Sequence, residues 1–345
     1  MTTQNQPNKA VIRTAIVAVG VAFIVIILGA FTRLSDAGLG CPDWPTCYGH
    51  ALWPKTSEEI SQANISFPHA PVEKDKTWPE MVHRYFATSI GLFCIVLVAL
   101  SIKERKKQPA PLAHTLFLLC LVLLQGAFGA WTVTLKLWPQ VVTAHLLGGF
   151  ATLSVLWLLV LRLRNSPWQL SKEVFTQVKT LRRFAAVCLV MVILQIALGG
   201  WTTSNYAALA CPDLPACQGQ WLPAMDFRSG FNVTQKIGPS YLGGVMDNNA
   251  RVAIHFSHRV GAIVTSVLLL VLGSLLIKSG DRNLARMGCI VCGVLLCQVF
   301  LGLSNVHFLL PLPVAVAHNA GGALLLLVMI TLNYLLYSAQ AIHSD

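Results

Sequence analysis

Charged side chains are scarce in this sequence: Asp, Glu, Lys and Arg make up 11% of its 345 residues, whereas apolar residues make up 55%. This scarcity excludes an ordinary soluble domain, in which about a quarter of the residues are charged. Eight apolar runs reach the roughly 20 residues that a helix needs to cross a bilayer. They lie at 12–32, 82–102, 112–134, 141–163, 181–203, 252–277, 285–306 and 314–337. The sequence therefore predicts an all-α integral membrane protein with eight transmembrane helices.

Acidic residues are especially few, at 14 against 25 Lys and Arg. Segments 1–13, 103–107, 162–183 and 278–286, with the tail, carry fifteen of the 25 basic residues and four of the 14 acidic ones. The positive-inside rule places this side in the cytoplasm, together with both termini. The sequence also lacks an RNA- or DNA-binding motif, and its basic clusters are short and lie at helix ends. We expect membrane lipids around the chain and no nucleic-acid partner.

Two loops on the opposite side share a cysteine motif, CPDWPTCYG at 41–49 and CPDLPACQG at 211–219. The compartment outside the cytoplasm permits disulfide bonds. We therefore expect each loop to close on itself, through Cys41 with Cys47 and through Cys211 with Cys217. A redox-active or metal-binding role for these cysteines remains an alternative, although their spacing does not specifically indicate one.

The cysteine motifs belong to a longer internal repeat. VHRYFATSIG at 82–91 corresponds to SHRVGAIVTS at 257–266, and AHLLGGF at 144–150 corresponds to AHNAGGA at 317–323. The first run resembles a signal peptide, but its tail LGAFTRLSDAGLGCP matches LGGWTTSNYAALACP after the fifth run, so we interpret it as a retained helix. The sequence predicts two tandem four-helix bundles, 1–170 and 171–345, forming a parallel repeat about an axis along the membrane normal.

Four histidines lie inside the predicted spans at repeat-equivalent positions: His83 and His145 in the first half, His258 and His318 in the second. A single histidine on an apolar helix is usually a packing residue, but histidine is costly in hydrocarbon and often marks function. A pair on the second and fourth helices of a half is arranged like two axial ligands of one iron porphyrin. Structural zinc would gather four ligands in one place. The pattern therefore favours two bis-histidine haem sites.

The two halves differ beside these histidines. Glu80 precedes His83 by three residues on the same helical face, whereas the residue equivalent to it, before His258, is His255. A carboxylate beside a haem is a candidate proton acceptor or electrostatic stabiliser. The alternative is a helix-capping role with Thr77 as the N-cap. Because only the first half has the acid, we expect that half to react and the second to hold a permanent cofactor.

Other polar and small residues surround the candidate ligands. Arg84 and Arg259 each follow a histidine directly, and either pair with haem propionates or extend to lipid headgroups. Gln125 and Gln298 are expected to hydrogen-bond between helices, with a place near a haem edge as the alternative. We expect the small residues after the histidines to make room for a flat macrocycle: Gly148, Gly149, Gly261, Gly321 and Gly322.

Two four-helix halves, the segments GLGCPDWPTC and EMVHR, a second HR pair and the two later histidines together carry a resemblance. Over nearly its full length the chain resembles the haem A synthase family of cytochrome oxidase assembly proteins. The resemblance implies a membrane oxidoreductase with eight helices. Such an enzyme oxidises the C8 methyl of haem O to the formyl group of haem A, for cytochrome oxidase assembly.

The resemblance also implies a role for each candidate residue. In that family the pair in the second half binds a haem b prosthetic group, which here means His258 and His318. The pair in the first half, His83 and His145, would hold the substrate haem O, and Glu80 would be essential to the chemistry.

Further implications concern the surroundings of the enzyme. In some members the outer cysteines of the first half, here Cys41 and Cys47, take part in electron or haem handling. The resemblance implies the inner membrane of a bacterium and haem O delivered by a haem O synthase. The electron acceptor, the oxygen source, assembly into a homo-oligomer and the role of His255 stay open.

Two other functions are alternatives to enzymatic haem oxidation. A di-haem cytochrome b that only carries electrons would explain the four histidines but would leave Glu80 without a task. A transporter built from repeats fits the duplication, yet the predicted spans carry no charged residues at mid-membrane depth. Enzymatic haem oxidation is therefore the favoured interpretation.

Overall fold

The computed structural model describes residues 9–105 and 111–342. Segments 1–8, 106–110 and 343–345, with parts of the basic clusters and His343, lie outside the described residues. The helices are α1 (Lys9–Leu34), α2 (Ser57–Ser66), α3 (Lys74–Glu104), α4 (Leu112–Thr134), α5 (Pro139–Arg164), α6 (Lys172–Ser204), α7 (Phe227–Gly230), α8 (Asn248–Ile277), α9 (Arg282–His307) and α10 (Leu312–Ser338). Two short strands, β1 (Gln169–Leu170) and β2 (Gln340–Ala341), pair in parallel.

In the described part of the chain, eight of these helices are long and apolar enough to cross a membrane. Each of them contains one predicted span, so the prediction of an all-α protein with eight spans is confirmed. The two remaining helices, α2 and α7, are short and lie in the long loops near the cysteine motifs. We call the end of the bundle with these loops the cysteine end and the opposite end the basic end.

Local sequence signals set several helix boundaries. Helix α5 begins with Pro139, whose fixed φ suits the first helical position, and ends where Asn165 takes a left-handed φ of 41°. The side chain of Ser171 caps α6 by accepting a hydrogen bond from the Val174 N–H. Asp281 caps α9 in the same way. These caps satisfy N–H groups that a helix terminus otherwise leaves unpaired.

Four helices, α1, α5, α6 and α10, pack together in the middle of the protein. Helices α3 and α4 flank the α1–α5 pair, and α8 and α9 flank the α6–α10 pair. The buried face of α1 consists of Val11, Ala15, Ala18, Ala22 and Ile26, at the three- and four-residue spacing of one helical stripe. The small alanines let neighbouring backbones approach closely, as is common between membrane helices.

Contacts between the two halves join positions that are equivalent in the predicted repeat. Arg33 donates to the main-chain oxygen of Thr203 at 2.7 Å, a separation of 170 residues. Tyr206 donates to Asp36 at 3.1 Å, also across 170 residues. At the basic end, β1 and β2 pair at nearly the same separation. Contacts between repeat-equivalent residues are expected close to a two-fold axis that relates the two halves. We therefore propose a parallel repeat of 1–170 and 171–345.

Candidate haem site

The four intramembrane histidines lie at matching places, with His83 on α3, His145 on α5, His258 on α8 and His318 on α10. Each ring rests against a glycine of the neighbouring helix, and at three of the four glycines a larger residue would crowd it. A Cβ atom built on that glycine would approach the ring Cε1 atom to 2.9 Å for Gly29 and His83, 3.4 Å for Gly129 and His145, 3.2 Å for Gly199 and His258, and 3.0 Å for Gly302 and His318. Glycine therefore provides the space that each imidazole occupies.

Within the first half, the two histidine rings face each other. The centroids of His83 and His145 are 6.4 Å apart, and their planes are nearly perpendicular, at 88°. A metal–nitrogen bond of about 2 Å on each side, plus about 1 Å from each ring nitrogen to the ring centre, gives a separation of about 6 Å. The pair is therefore spaced like two axial ligands of one iron. In the second half, His258 and His318 lie on α8 and α10, at the positions that correspond to His83 and His145 in the predicted repeat.

Several buried ring nitrogens in these pairs have no partner. The Nδ1 atoms of His83, His145 and His318 are buried and make no hydrogen bond, although buried polar atoms rarely stay unsatisfied. No group of three or more His, Cys, Asp or Glu residues that could hold a metal ion occurs in the described ranges 9–105 and 111–342. Two imidazoles for each site suit a haem iron, whose other four ligands come from the porphyrin, better than zinc. The residues present therefore fit haem.

Glutamine side chains support two of the histidines from the adjacent helix. The Nε2 of Gln195 donates to the main-chain oxygen of His258 at 2.9 Å and lies 3.0 Å from its Nδ1. The Nε2 of Gln298 donates to the main-chain oxygen of His318 at 3.0 Å. The prediction that Gln298 hydrogen-bonds between helices is confirmed, and Gln195 joins it as a residue that the sequence analysis did not select.

The space beside three of the selected glycines is filled by glutamine amides. A Cβ atom at Gly148 would lie 1.8 Å from the Gln125 amide nitrogen. The Gln195 and Gln298 amides occupy the same place beside the glycines that follow His258 and His318 by three residues. The expectation that these three glycines leave room for a macrocycle is wrong, because each one accommodates an amide.

Glu80 lies beneath the first cysteine loop and is almost fully buried, with 4% of its surface exposed. One carboxylate oxygen accepts a hydrogen bond from the Cys41 N–H at 2.9 Å, and the other forms an ion pair with Arg84. Helix α3 begins at Lys74, so Glu80 lies beyond the first turn and the capping interpretation with Thr77 as N-cap is wrong. The acid is instead fixed between α3 and the loop.

Arg84 connects the same helix to the loop that the Cys41–Cys47 disulfide closes. Its guanidinium donates to the main-chain oxygens of Asp43 at 3.0 Å and Thr46 at 2.8 Å. The structure thus brings Arg84, Glu80 and the disulfide loop together at the cysteine end of the first half. The pairing of Arg84 with a propionate stays a prediction.

The second half repeats this arrangement with one exchange. The Cys211–Cys217 disulfide closes the loop, and Arg259 donates to the main-chain oxygens of Cys211 at 2.5 Å and Ala216 at 2.9 Å. His255 takes the place of the carboxylate and accepts the Cys211 N–H at its Nδ1 atom, at 3.2 Å. His255 is therefore a structural partner of the loop, and its Nε2 lies 3.3 Å from the Nε of Arg259.

The aspartate of each cysteine motif organises its turn. Asp43 accepts hydrogen bonds from the N–H groups of Tyr48 and Gly49, and Gly49 has a φ of +76° that favours glycine. Burial acts to raise the pKa of Asp43, but the hydrogen bonds from Thr46 and these N–H groups outweigh it, so the pKa is lowered from 3.8. Hydrogen bonds from the Gly219 and Gln218 N–H groups likewise lower the pKa of Asp213, in the equivalent turn.

The sequence analysis missed the glycines under the four rings, although a signal for them exists. They occur in the related segments LGAFT at 28–32, FGAWT at 128–132, LGGWT at 198–202 and LGLSN at 301–305. Each segment ends a helix that precedes a histidine-bearing one. The fourfold recurrence of these segments identifies the glycines, whereas the twofold repeat alone does not.

An all-α membrane protein with paired intramembrane histidines is the class that this fold and site define. The sequence pattern of the cytochrome oxidase assembly protein family (COX15-CtaA) matches residues 13–330. The chain belongs to this family.

Curated relatives agree with this assignment. The heme A synthase of Shewanella oneidensis is 48% identical over 314 residues, which cover 91% of this chain and 93% of the relative. The heme A synthases of Nitrosospira multiformis and Caulobacter vibrioides are each 27% identical, over 92% and 90% of this chain and 91% and 92% of their own lengths. The similarity therefore extends over both halves.

Proposed function

We propose that this chain is an oxidoreductase that converts haem O to haem A for cytochrome oxidase, by oxidising the C8 methyl to a formyl group. The family membership and the 48% identity to a heme A synthase support this activity. The observation that carries it is the pair His83 and His145, whose ring centroids are 6.4 Å apart, with the buried Glu80 three residues before His83 on α3.

The two histidine pairs take different haems in this proposal. His83 and His145 hold the substrate haem O, and His258 and His318 hold a haem b cofactor. Bound haem b supplies one-electron redox chemistry at a site separate from the substrate. The assignment of the substrate to the first half depends on Glu80, because the second half has His255 at the equivalent place.

The protein's own contribution to the chemistry lies in the placement of Glu80. Oxidation of a methyl carbon releases protons and develops positive charge, and a buried carboxylate can accept the proton or stabilise the charge. The Cys41 N–H and the Arg84 guanidinium each bind one carboxylate oxygen. These contacts hold the acid in one orientation, so that no reorganisation is needed during the reaction.

The same proposal includes an orientation in the bacterial inner membrane. The basic end faces the cytoplasm, because cytoplasmic loops carry an excess of Lys and Arg. Both termini then lie in the cytoplasm, and the disulfide loops lie in the compartment that permits disulfides. Haem O reaches the first-half site from a haem O synthase.

The test is extraction of haems from the purified protein, made in cells that also supply haem O. The unchanged protein should yield haem B together with hydroxylated or formyl haem. Glu80→Gln should retain its haem absorption and lose the formyl product, because the amide keeps the shape but not the charge. Haem B alone from the unchanged protein would instead indicate a cytochrome b that only carries electrons.

A further inference from the structure

Three of the four candidate ligands share a support that the fourth lacks. In each supported case a glutamine stands four residues before the glycine under the ring, and another glycine follows the histidine by three residues. The three sets are Gln125, Gly129, His145 and Gly148; Gln195, Gly199, His258 and Gly261; and Gln298, Gly302, His318 and Gly321. We call this combination the glutamine clamp.

The contacts of the clamp explain why it needs both residue types. A Cβ atom on Gly148, Gly261 or Gly321 would lie 1.8, 2.3 or 2.2 Å from the glutamine amide, so only glycine admits it. In the second half the amide nitrogen also donates to the main-chain oxygen of the histidine, at 2.9 Å for Gln195 and 3.0 Å for Gln298. In all three sets the amide packs beside the glycine, and in the second half its hydrogen bond also holds the turn that carries the ligand against the neighbouring helix.

His83 has no such clamp. The residue four positions before Gly29 is Val25, which has no hydrogen-bonding side chain, and the residue three positions after His83 is Phe86. The ring instead contacts the backbone of α1, at Gly29 and Val25. Phe86 is 37% exposed on the outside of α3. The α3 turn that carries His83 is thus not tied to α1 by an amide, and a bulky aromatic side chain replaces the small residue.

We propose that His83 is the exchangeable iron ligand, which releases the substrate and product haem while His145 stays bound. This inference rests on the proposed function. Hydrogen-bonded partners orient a metal ligand, and their loss weakens metal binding by about 10- to 100-fold. A substrate must be released in every turnover, whereas a cofactor must be retained. His83, the one candidate ligand without a clamp, lies in the same half as Glu80, which is the half that we propose to be reactive.

The test measures haem release from the full-length protein loaded with haem O, after mixing with an excess of apomyoglobin as the haem acceptor. The unchanged protein should release haem in a fast phase from the first half and a slow phase from the second. Val25→Gln combined with Phe86→Gly installs the clamp and should slow the fast phase by about tenfold or more. A fast phase with an unchanged rate in this double variant would overturn the proposal.

Three further variants keep the test decisive. Phe86→Gly alone creates the space without the amide and should not slow release; equal slowing in this variant would also contradict a clamp. Gln298→Val removes a clamp from the second half and should accelerate the slow phase, and an unchanged slow phase would count against the proposal even if the double variant fails to fold. If His83→Ala leaves the rate of the fast phase unaltered, the assignment of substrate haem to the first half is wrong. That outcome contradicts the proposed function and is distinct from a failure of the clamp proposal alone.

Discussion

The two halves of the molecule share one arrangement of disulfide loop, arginine and histidines, but they differ at two positions beside the histidines. Each has a disulfide loop, an arginine that binds the main-chain oxygens of that loop, and a histidine pair packed on glycines. They differ where Glu80 corresponds to His255 and where Val25 corresponds to Gln195. In the proposed function each half binds a haem, and the two exchanges distinguish the half that reacts from the half that retains its cofactor.

The exchange of Glu80 for His255 preserves one structural contact. A carboxylate oxygen accepts the N–H of Cys41 in the first half, and an imidazole nitrogen accepts the N–H of Cys211 in the second. Either side chain therefore satisfies a buried donor that would be costly to leave unpaired. The chemistry of this position can change without a change in the loop above it.

The largest expected effect comes from making the first half resemble the second. Glu80→His should still accept the Cys41 N–H, as His255 accepts that of Cys211, so both loops and both haems should remain. Formation of haem A should fall by about 100-fold or more, because the carboxylate charge that stabilises developing positive charge is lost. Chromatography of the extracted haems measures the product. Haem A at the level of the unchanged protein would remove the chemical distinction between the halves.

Loss of an axial ligand should separate the two haems. His258→Ala should lose most of its haem b during purification. Loss of a ligand's hydrogen-bond partner alone weakens metal binding by about 10- to 100-fold, and loss of the ligand itself should weaken it further. His83→Ala should keep haem b and lose haem A formation. The ratio of haem B to protein, measured by the pyridine haemochrome spectrum, checks both variants. Equal loss of haem B in the two variants would contradict the assignment of the cofactor to the second half.

The cysteine pairs offer a contrast of intermediate size. Replacing Cys41 and Cys47 by serine, or Cys211 and Cys217 by serine, should destabilise the protein by a similar amount, about 2 kcal/mol for so short a loop. Only the first pair should also lower haem A formation, since the Cys41 N–H orients Glu80. Thermal unfolding and haem analysis on the same preparations separate these effects. Equal loss of product in both variants would show that the loops act on stability alone.

Much of the fold and part of the site could be predicted from sequence. Long apolar runs must become helices in a bilayer, because every backbone group needs an internal partner there. The four histidines were identifiable since polar residues in spans are few. The placement of Arg84 was not, because binding to Asp43 and Thr46 depends on a loop that folds back over α3. The sequence favoured a chemical role for Glu80 over a helix cap because only one half has the acid, and the start of α3 at Lys74 excluded the cap.

The smallest effect concerns the aspartates that organise the two cysteine turns. Because the folded-state pKa of Asp213 is lowered from 3.8, its stabilising contribution is present above the unfolded pKa, and it is lost as pH falls through the folded value. The unchanged protein should therefore lose thermal stability more steeply than Asp213→Asn below about pH 4. Asp43→Asn should show the same direction of change.

Only one of these two variants should also disturb the reaction. The Asp43 turn presents the main-chain oxygens that bind Arg84, and Arg84 in turn binds Glu80, whereas the Asp213 turn has no carboxylate beneath it. Asp43→Asn should therefore lower haem A formation by a few-fold at neutral pH, and Asp213→Asn should not. Melting temperatures from pH 3 to 7 test the expected change in stability, and haem analysis at pH 7 tests the expected change in haem A formation. Equal haem A formation in the two variants would mean that the turn does not reach the acid through Arg84.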